Sequence, residues 1–215
     1  MDISAALERL NSQLPLKARQ DALPSVLKAT HQSVLYSLAE RGRPPTMDEL
    51  EVALGMGKVE AALQRLGADD LIVLDAEGKQ LVGAYPVTLE QTPHKISVNG
   101  NSIHAMCALD AVSVAPMFDA KVTIDSTCHV SATPITVAMQ GREIVDVKPT
   151  AEVTVGIRWR MPSAVAAHSM CMEMVFLKDR RTVQAWLNGD TENIALFTLP
   201  EAVAFGTAFF RPLLD

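Results

Sequence analysis

The sequence predicts an α+β fold, with a helical N-terminal domain over residues 1–85 and a mixed α+β domain over residues 86–215. Three observations lead there. Apolar residues recur at helical spacing between residues 26 and 66. A hairpin pattern then closes that half. From residue 95 onward, short strand-like runs alternate with short apolar helices. At 215 residues the chain suffices for one sizeable core or for a small domain plus a medium one.

A helix starts at Asp21-Ala22-Leu23-Pro24, with Pro24 in the first turn, where its missing N–H costs little. Val26, Leu27, Val34, Leu35 and Leu38 form its apolar stripe, and Arg41-Gly42-Arg43-Pro44-Pro45 ends it. Thr46-Met47-Asp48-Glu49 is a capping box that opens a short helix carrying Leu50, Val52 and Leu54. After the turn Gly55-Met56-Gly57, Val59, Ala62, Leu63 and Leu66 mark a third helix, closed by Gly67. Residues 71–74 and 80–85, joined by Asp75-Ala76-Glu77-Gly78, read as a hairpin. Helix, turn, helix, hairpin is the order of a winged helix.

In the second half, residues 95–98, 102–105, 121–124, 135–139, 151–158 and 172–177 read as strands, and Asn99-Gly100-Asn101 as a hairpin turn. Residues 105–118, 183–187 and 199–209 read as helices.

Composition excludes several classes. The net charge is −6, and residues 1–85 hold nine Lys and Arg against twelve Asp and Glu. The would-be recognition helix at 58–66 offers only Lys58 and Arg65 as cations. Phosphate neutralisation dominates nucleic-acid affinity, so no nucleic-acid partner is expected, and the winged-helix pattern reads as structural. No apolar run approaches the ~20 residues of a membrane span, and the N-terminus has no secretory pattern. With three cysteines, reduced thiols and a cytoplasmic location are the expectation. No phosphate loop, nucleotide fingerprint or hydrolase motif is present.

The chemistry concentrates in His104-Ala105-Met106-Cys107-Ala108-Leu109-Asp110. A thiol and a carboxyl group three residues apart on a helix share one face. Cys107 follows a predicted strand and opens an apolar helix, whose N-terminus lowers a thiol's pKa. Asp110 lies in an apolar stretch where a carboxylate is costly to bury without a purpose. Cys171 is a second candidate, in His168-Ser169-Met170-Cys171, and Cys128 is read as structural. Two thiols and a carboxylic acid suit a soft metal and a proton transfer to something attached to it. Two rival readings use the same residues. His104 and His168 each precede a cysteine by three, so a Cys₂His₂ zinc site is compatible with the spacing. A winged-helix sensor that binds metal through these thiols is the other.

These motifs carry a resemblance over nearly the whole chain. Cys107-Ala108-Leu109-Asp110, Ser126-Thr127-Cys128, Ser169-Met170-Cys171 and Glu201-Ala202-Val203-Ala204-Phe205-Gly206 are similar to segments of the organomercurial (alkylmercury) lyases of bacterial mercury resistance. The resemblance implies a winged-helix-like domain followed by a lyase domain. It implies protonolysis of a carbon–mercury bond by Cys107, Cys171 and Asp110, with the mercury of substrate and product held by these three residues and Cys128 structural. It further implies no organic cofactor or resident metal, excess small thiol to remove Hg(II), and hand-off to a mercuric reductase. Met106 departs from the family pattern, which has an aromatic residue before the first catalytic cysteine; His104 and His168 are not part of that pattern.

Overall fold

The computed structural model describes residues 2–163, 165–189 and 192–215. Five helices come first: α1 (Ile3–Gln13), α2 (Leu16–Asp21), α3 (Ser25–Arg41), α4 (Met47–Leu54) and α5 (Val59–Ala68). The first, which the sequence reading did not single out, is capped by Asp2, whose carboxylate accepts from Ala5 N at 2.8 Å. Pro24 occupies the N-cap of α3 rather than its first turn. The capping box of α4 forms as read: Thr46 Oγ1 accepts from Glu49 N at 3.3 Å, and Glu49 Oε2 accepts from Thr46 N at 2.7 Å.

An eight-stranded antiparallel sheet follows, built from β1 (Val73–Leu74), β2 (Leu81–Ala84), β3 (Val87–Thr88), β4 (His94–Val98), β5 (Asn101–Ala105), β6 (Lys121–Thr127), β7 (Pro134–Gln140) and β8 (Glu143–Lys148), in the order β1-β2-β3-β5-β4-β6-β7-β8. The β4–β5 turn holds Asn99 and Gly100 at φ of 50° and 80°, the left-handed pair that a two-residue hairpin requires. β3 and β8 were not anticipated. The first is two residues long, and the second is a largely exposed edge with a weak inside–outside alternation.

A second, three-stranded antiparallel sheet places β9 (Thr154–Arg158) between β10 (Met174–Leu177) and β11 (Ile194–Thr198). The strand expected at 172–177 begins only at Met174, because Met170–Glu173 is wound into a 3-10 turn. Three helices complete the fold: α6 (Ala108–Phe118), α7 (Arg180–Leu187) and α8 (Leu199–Phe210).

The site depends on α6. All its residues from Ala108 to Met117 are buried, as expected for a helix apolar on every side. It packs against the large sheet, β10 and α8. Gly206 of α8 faces Ser113 of α6, and a methyl group there would run into Ser113 Oγ. One continuous core extends from Ala6 of α1 to Leu213 near the C-terminus. Among the described residues, no helix is long and apolar enough to cross a membrane.

Candidate active site

Cys107 lies between β5 and α6, with an extended backbone (φ −152°, ψ 179°). It is therefore the N-cap of α6 and not a helical residue, and Asp110 stands at the third helical position. The two still meet, through capping geometry: Cys107 Sγ accepts a hydrogen bond from Asp110 N at 3.3 Å. Cys171 reaches them from the irregular connection between β9 and β10, within the 3-10 turn Met170–Glu173. The Sγ atoms of Cys107 and Cys171 and a carboxylate oxygen of Asp110 all lie within 4.8 Å of one another. All three residues are buried, at 1%, 3% and 2% exposure. Asp110 Oδ2 has no hydrogen-bond partner, a costly condition for a carboxyl oxygen away from water.

Burial is the largest influence on the protonation of Asp110 and Cys107. It raises the Asp110 carboxyl to about 7, against the opposing effect of hydrogen bonds from the Cys107 side chain and backbone. It also pushes the Cys107 thiol well above its ordinary value, with Cys171 and Asp110 adding to the rise. The expected lowering by the helix N-terminus is thus overturned, since one N–H donor does not offset complete desolvation. At Cys171 the hydrogen bond with Cys107 pulls down, but burial and the nearby carboxyl groups leave the thiol raised. Met174 Sδ lies 3.6 Å from Cys107 Sγ, a further acceptor within reach of the single thiol proton.

A cleft of about 340 Å³ opens onto the site. Cys171 lines it, among Met106, Met172, Met174, Val175 and Phe176, with His94, His129 and His168 as polar groups. Cys171 and Asp110 also line a small pocket of about 10 Å³.

Neither histidine of the zinc reading joins the thiols. The ring of His168 bonds Glu90 at 2.8 Å near the surface, and His104 Nδ1 lies 3.1 Å from the Thr92 carbonyl oxygen. Among the described residues, the trio is the one group of three or more His, Cys, Asp or Glu side chains placed to hold a metal ion. Cys128 is buried in the β6–β7 turn, outside that group, with its N–H donating to Thr133 O. Burial opposes its ionisation, but hydrogen bonds from Ser131, Lys178 and Val130 outweigh it and lower its pKa. Sequence reasoning missed Met174, Asp70 and Tyr85. The last two anchor the segment before Cys171, and no local pattern marks them.

Fold and cluster together define a class, an α+β protein presenting two thiols and a carboxyl group to a soft, thiophilic metal centre. Residues 87–211 match the alkylmercury lyase family model. The chain is 32% identical over 165 residues to the alkylmercury lyase of Staphylococcus epidermidis, covering 76% of this chain and 73% of that one. It is 29% identical to that of Bacillus cereus, over 72% and 69% of the two chains. It is 23% identical to that of Streptomyces lividans, over 84% and 80%. Its fold is similar to the crystal structure of the mercury-bound form of MerB2, with a TM-score of 0.76 at 21% identity, over 93% and 98% of the two chains. The chain belongs to the alkylmercury lyase family. It is an enzyme that cleaves the carbon–mercury bond of organomercury compounds by protonolysis, giving a hydrocarbon and Hg(II).

Proposed function

We propose that Cys107 and Cys171 hold the mercury of the substrate and that Asp110 delivers the proton to carbon. The observation that carries this assignment is the convergence of two buried thiols on a buried carboxyl group with an unpartnered oxygen. Cys107 displaces X from R–Hg–X, its thiol proton leaving with X as HX, and forms S–Hg–R. The Cys171 thiol then passes its proton to the Asp110 carboxylate and bonds mercury as a thiolate. Added electron density on mercury makes the attached carbon more basic. The carbon takes the proton from Asp110 along with the electron pair of the breaking Hg–C bond. R–H leaves, Asp110 is again a carboxylate, and mercury stays Hg(II) between two sulfurs, so no redox partner is required. A carboxyl group held at about 7 suits both halves of this transfer near neutral pH. Thiolates outcompete oxygen and nitrogen ligands for so soft a metal.

In this reading the enzyme uses no organic cofactor and no resident metal. Excess low-molecular-weight thiol removes Hg(II), and a mercuric reductase receives it, in a cytoplasmic setting. The location is inferred from the three free thiols, the other points from the family resemblance. Residues 1–85 are a winged-helix-like unit, supported by the order α3, α4, α5 and the β1–β2 hairpin and by the family match starting at residue 87. The acidic balance of that unit favours a structural role over DNA binding.

The test is benzene release from phenylmercuric acetate in excess small thiol, followed by gas chromatography. Wild type is expected to produce benzene, while Cys107→Ser and Cys171→Ser produce none. Asp110→Asn is expected to bind the mercurial without cleaving it. Turnover by Asp110→Asn at the wild-type rate would remove the proton-carrier role.

A further inference from the structure

The segment that carries Cys171 has no regular structure of its own to fix it. Its described residues between β9 and β10, 159–163 and 165–173, hold two 3-10 turns, Ala166–His168 and Met170–Glu173. The first N–H groups of a helical turn lack internal partners and need acceptors. Here the residue before the first turn, Val165, supplies no side-chain cap. The acceptors come instead from the other half of the chain. Asp70 Oδ2 accepts from Ala166 N at 3.2 Å, and Tyr85 Oη accepts from Ala167 N at 2.8 Å. The two acceptors are tied together, since Tyr85 Oη donates to Asp70 Oδ1 at 3.0 Å.

The pair is itself anchored. Asp70 follows α5 in the left-handed region, at φ 53°, with Arg19 of α2 at 3.9 Å. Tyr85 is 1% exposed, between β2 and β3, and lines the same small pocket as Asp110 and Cys171. Burial raises the Tyr85 phenol, so it keeps its proton and donates to Asp70 at neutral pH.

We infer that Asp70 and Tyr85 are positioning residues for Cys171: a carboxylate and a phenol from the N-terminal half clamp two successive backbone N–H groups of its loop and hold its thiol against Cys107 and Asp110. The inference rests on the role proposed above for Cys171 as the second mercury ligand. It gives the N-terminal half a task in the chemistry without any ligand of its own. Cys107, fixed by α6, captures the substrate without the clamp. Bringing the second sulfur to mercury depends on the clamp, and a misplacement on the order of 1 Å in a reacting group costs up to about a hundredfold in rate.

The experiment uses the full chain with Tyr85→Phe, which keeps the ring in the core and removes only the hydroxyl. Asp70→Asn is made alongside, because Asn tolerates the left-handed backbone and one amide atom cannot replace a carboxylate acceptor. Cys171→Ser is the reference. Steady-state benzene release is measured, together with Hg(II) affinity by competition against a small dithiol. Tyr85→Phe is expected to lose about tenfold or more in kcat with KM nearly unchanged, and to hold Hg(II) at least about tenfold more weakly, with Asp70→Asn in between. A general structural role predicts instead a lowered melting temperature and a loss of active fraction, with Hg(II) affinity per folded molecule intact; that result overturns the clamp. Wild-type kcat and affinity in Tyr85→Phe, with Cys171→Ser inactive, also overturn it while leaving the thiol assignment standing. Turnover by Cys171→Ser at the wild-type rate overturns both. If Tyr85→Phe does not fold, the same readings are taken on Asp70→Asn.

Discussion

Cys107 serves two purposes at one position, as proposed nucleophile and as N-cap of α6. A serine retains an acceptor for Asp110 N while deleting the soft nucleophile. Cys107→Ser is therefore expected to fold with a melting temperature near that of wild type and to be inactive. Cys107→Ala is expected to lose in addition about 1 kcal/mol for the missing cap, read from denaturant midpoints. Asp110 gives a prediction in pH. An unfolded aspartate titrates near about 3.9, whereas the folded carboxyl is held at about 7. Between those values the folded chain keeps a proton that the unfolded chain has released. Its contribution thus falls as pH rises from about 4 to about 7 and is level above, with a limiting slope of about 1.4 kcal/mol per pH unit. Asp110→Asn removes the titration. Its stability advantage over wild type, measured by urea unfolding, is expected to widen from pH 5 to pH 7. A gap that stays constant with pH would show that Asp110 is not held up by burial. Asp110 as a candidate was legible because a carboxyl group in an apolar helical run is conspicuous. The missing partner of Oδ2 was not, since that depends on what α6 packs against.

At the scale of elements, α6 is the beam on which the site is built, and α8 holds it in place. The close approach at Gly206 sets their separation. Gly206→Ala must push α8 off Ser113 or turn that side chain out of its hydrogen bond to Leu109 O at 2.6 Å. The expected cost is about 1–3 kcal/mol, read as a lowered denaturant midpoint, with turnover falling as α6 shifts. An unchanged midpoint would show that the two helices separate freely. The helices α3 to α6 and α8 were readable from apolar spacing, caps and turn residues, because those signals are local. Besides α1 and α2, the elements that escaped are β3, which is only two residues long, and β8 and β11, which lie at sheet edges, β8 with little burial along it. The expected start of the strand at 172 fell inside the 3-10 turn that presents Cys171, so an apolar run alone mistook a site loop for sheet.

At the scale of the whole molecule, β1 and β2 pair through β3 with β5, so the sheet crosses the proposed boundary near residue 85 without interruption. Core residues from every helix except α7 form one cluster, and α7 packs against β10 in a small cluster of its own, Val175, Leu177, Val183 and Trp186. Heat or denaturant is therefore expected to unfold the chain in a single transition, with calorimetric and van't Hoff enthalpies equal and with far-UV signal and Trp fluorescence coincident. Two separated transitions would show that residues 1–85 fold on their own.

Local sequence determined which segments become helices, where the main turns fall, and which residues carry unusual chemistry: Cys107 and Asp110 by their spacing, Cys171 by its resemblance to a family segment. These properties depend on neighbours within a few positions, so they survive in a one-dimensional reading. Tertiary structure alone decided that Cys171 meets Cys107, that His104 and His168 turn elsewhere, that burial and not the helix dipole governs the Cys107 thiol, and that Asp70 and Tyr85 hold the Cys171 loop from 82 and more residues away. The physical reason is common to all four. Desolvation and hydrogen-bond satisfaction are set by what surrounds a group in space, and those surroundings are assembled from segments that the chain itself keeps far apart.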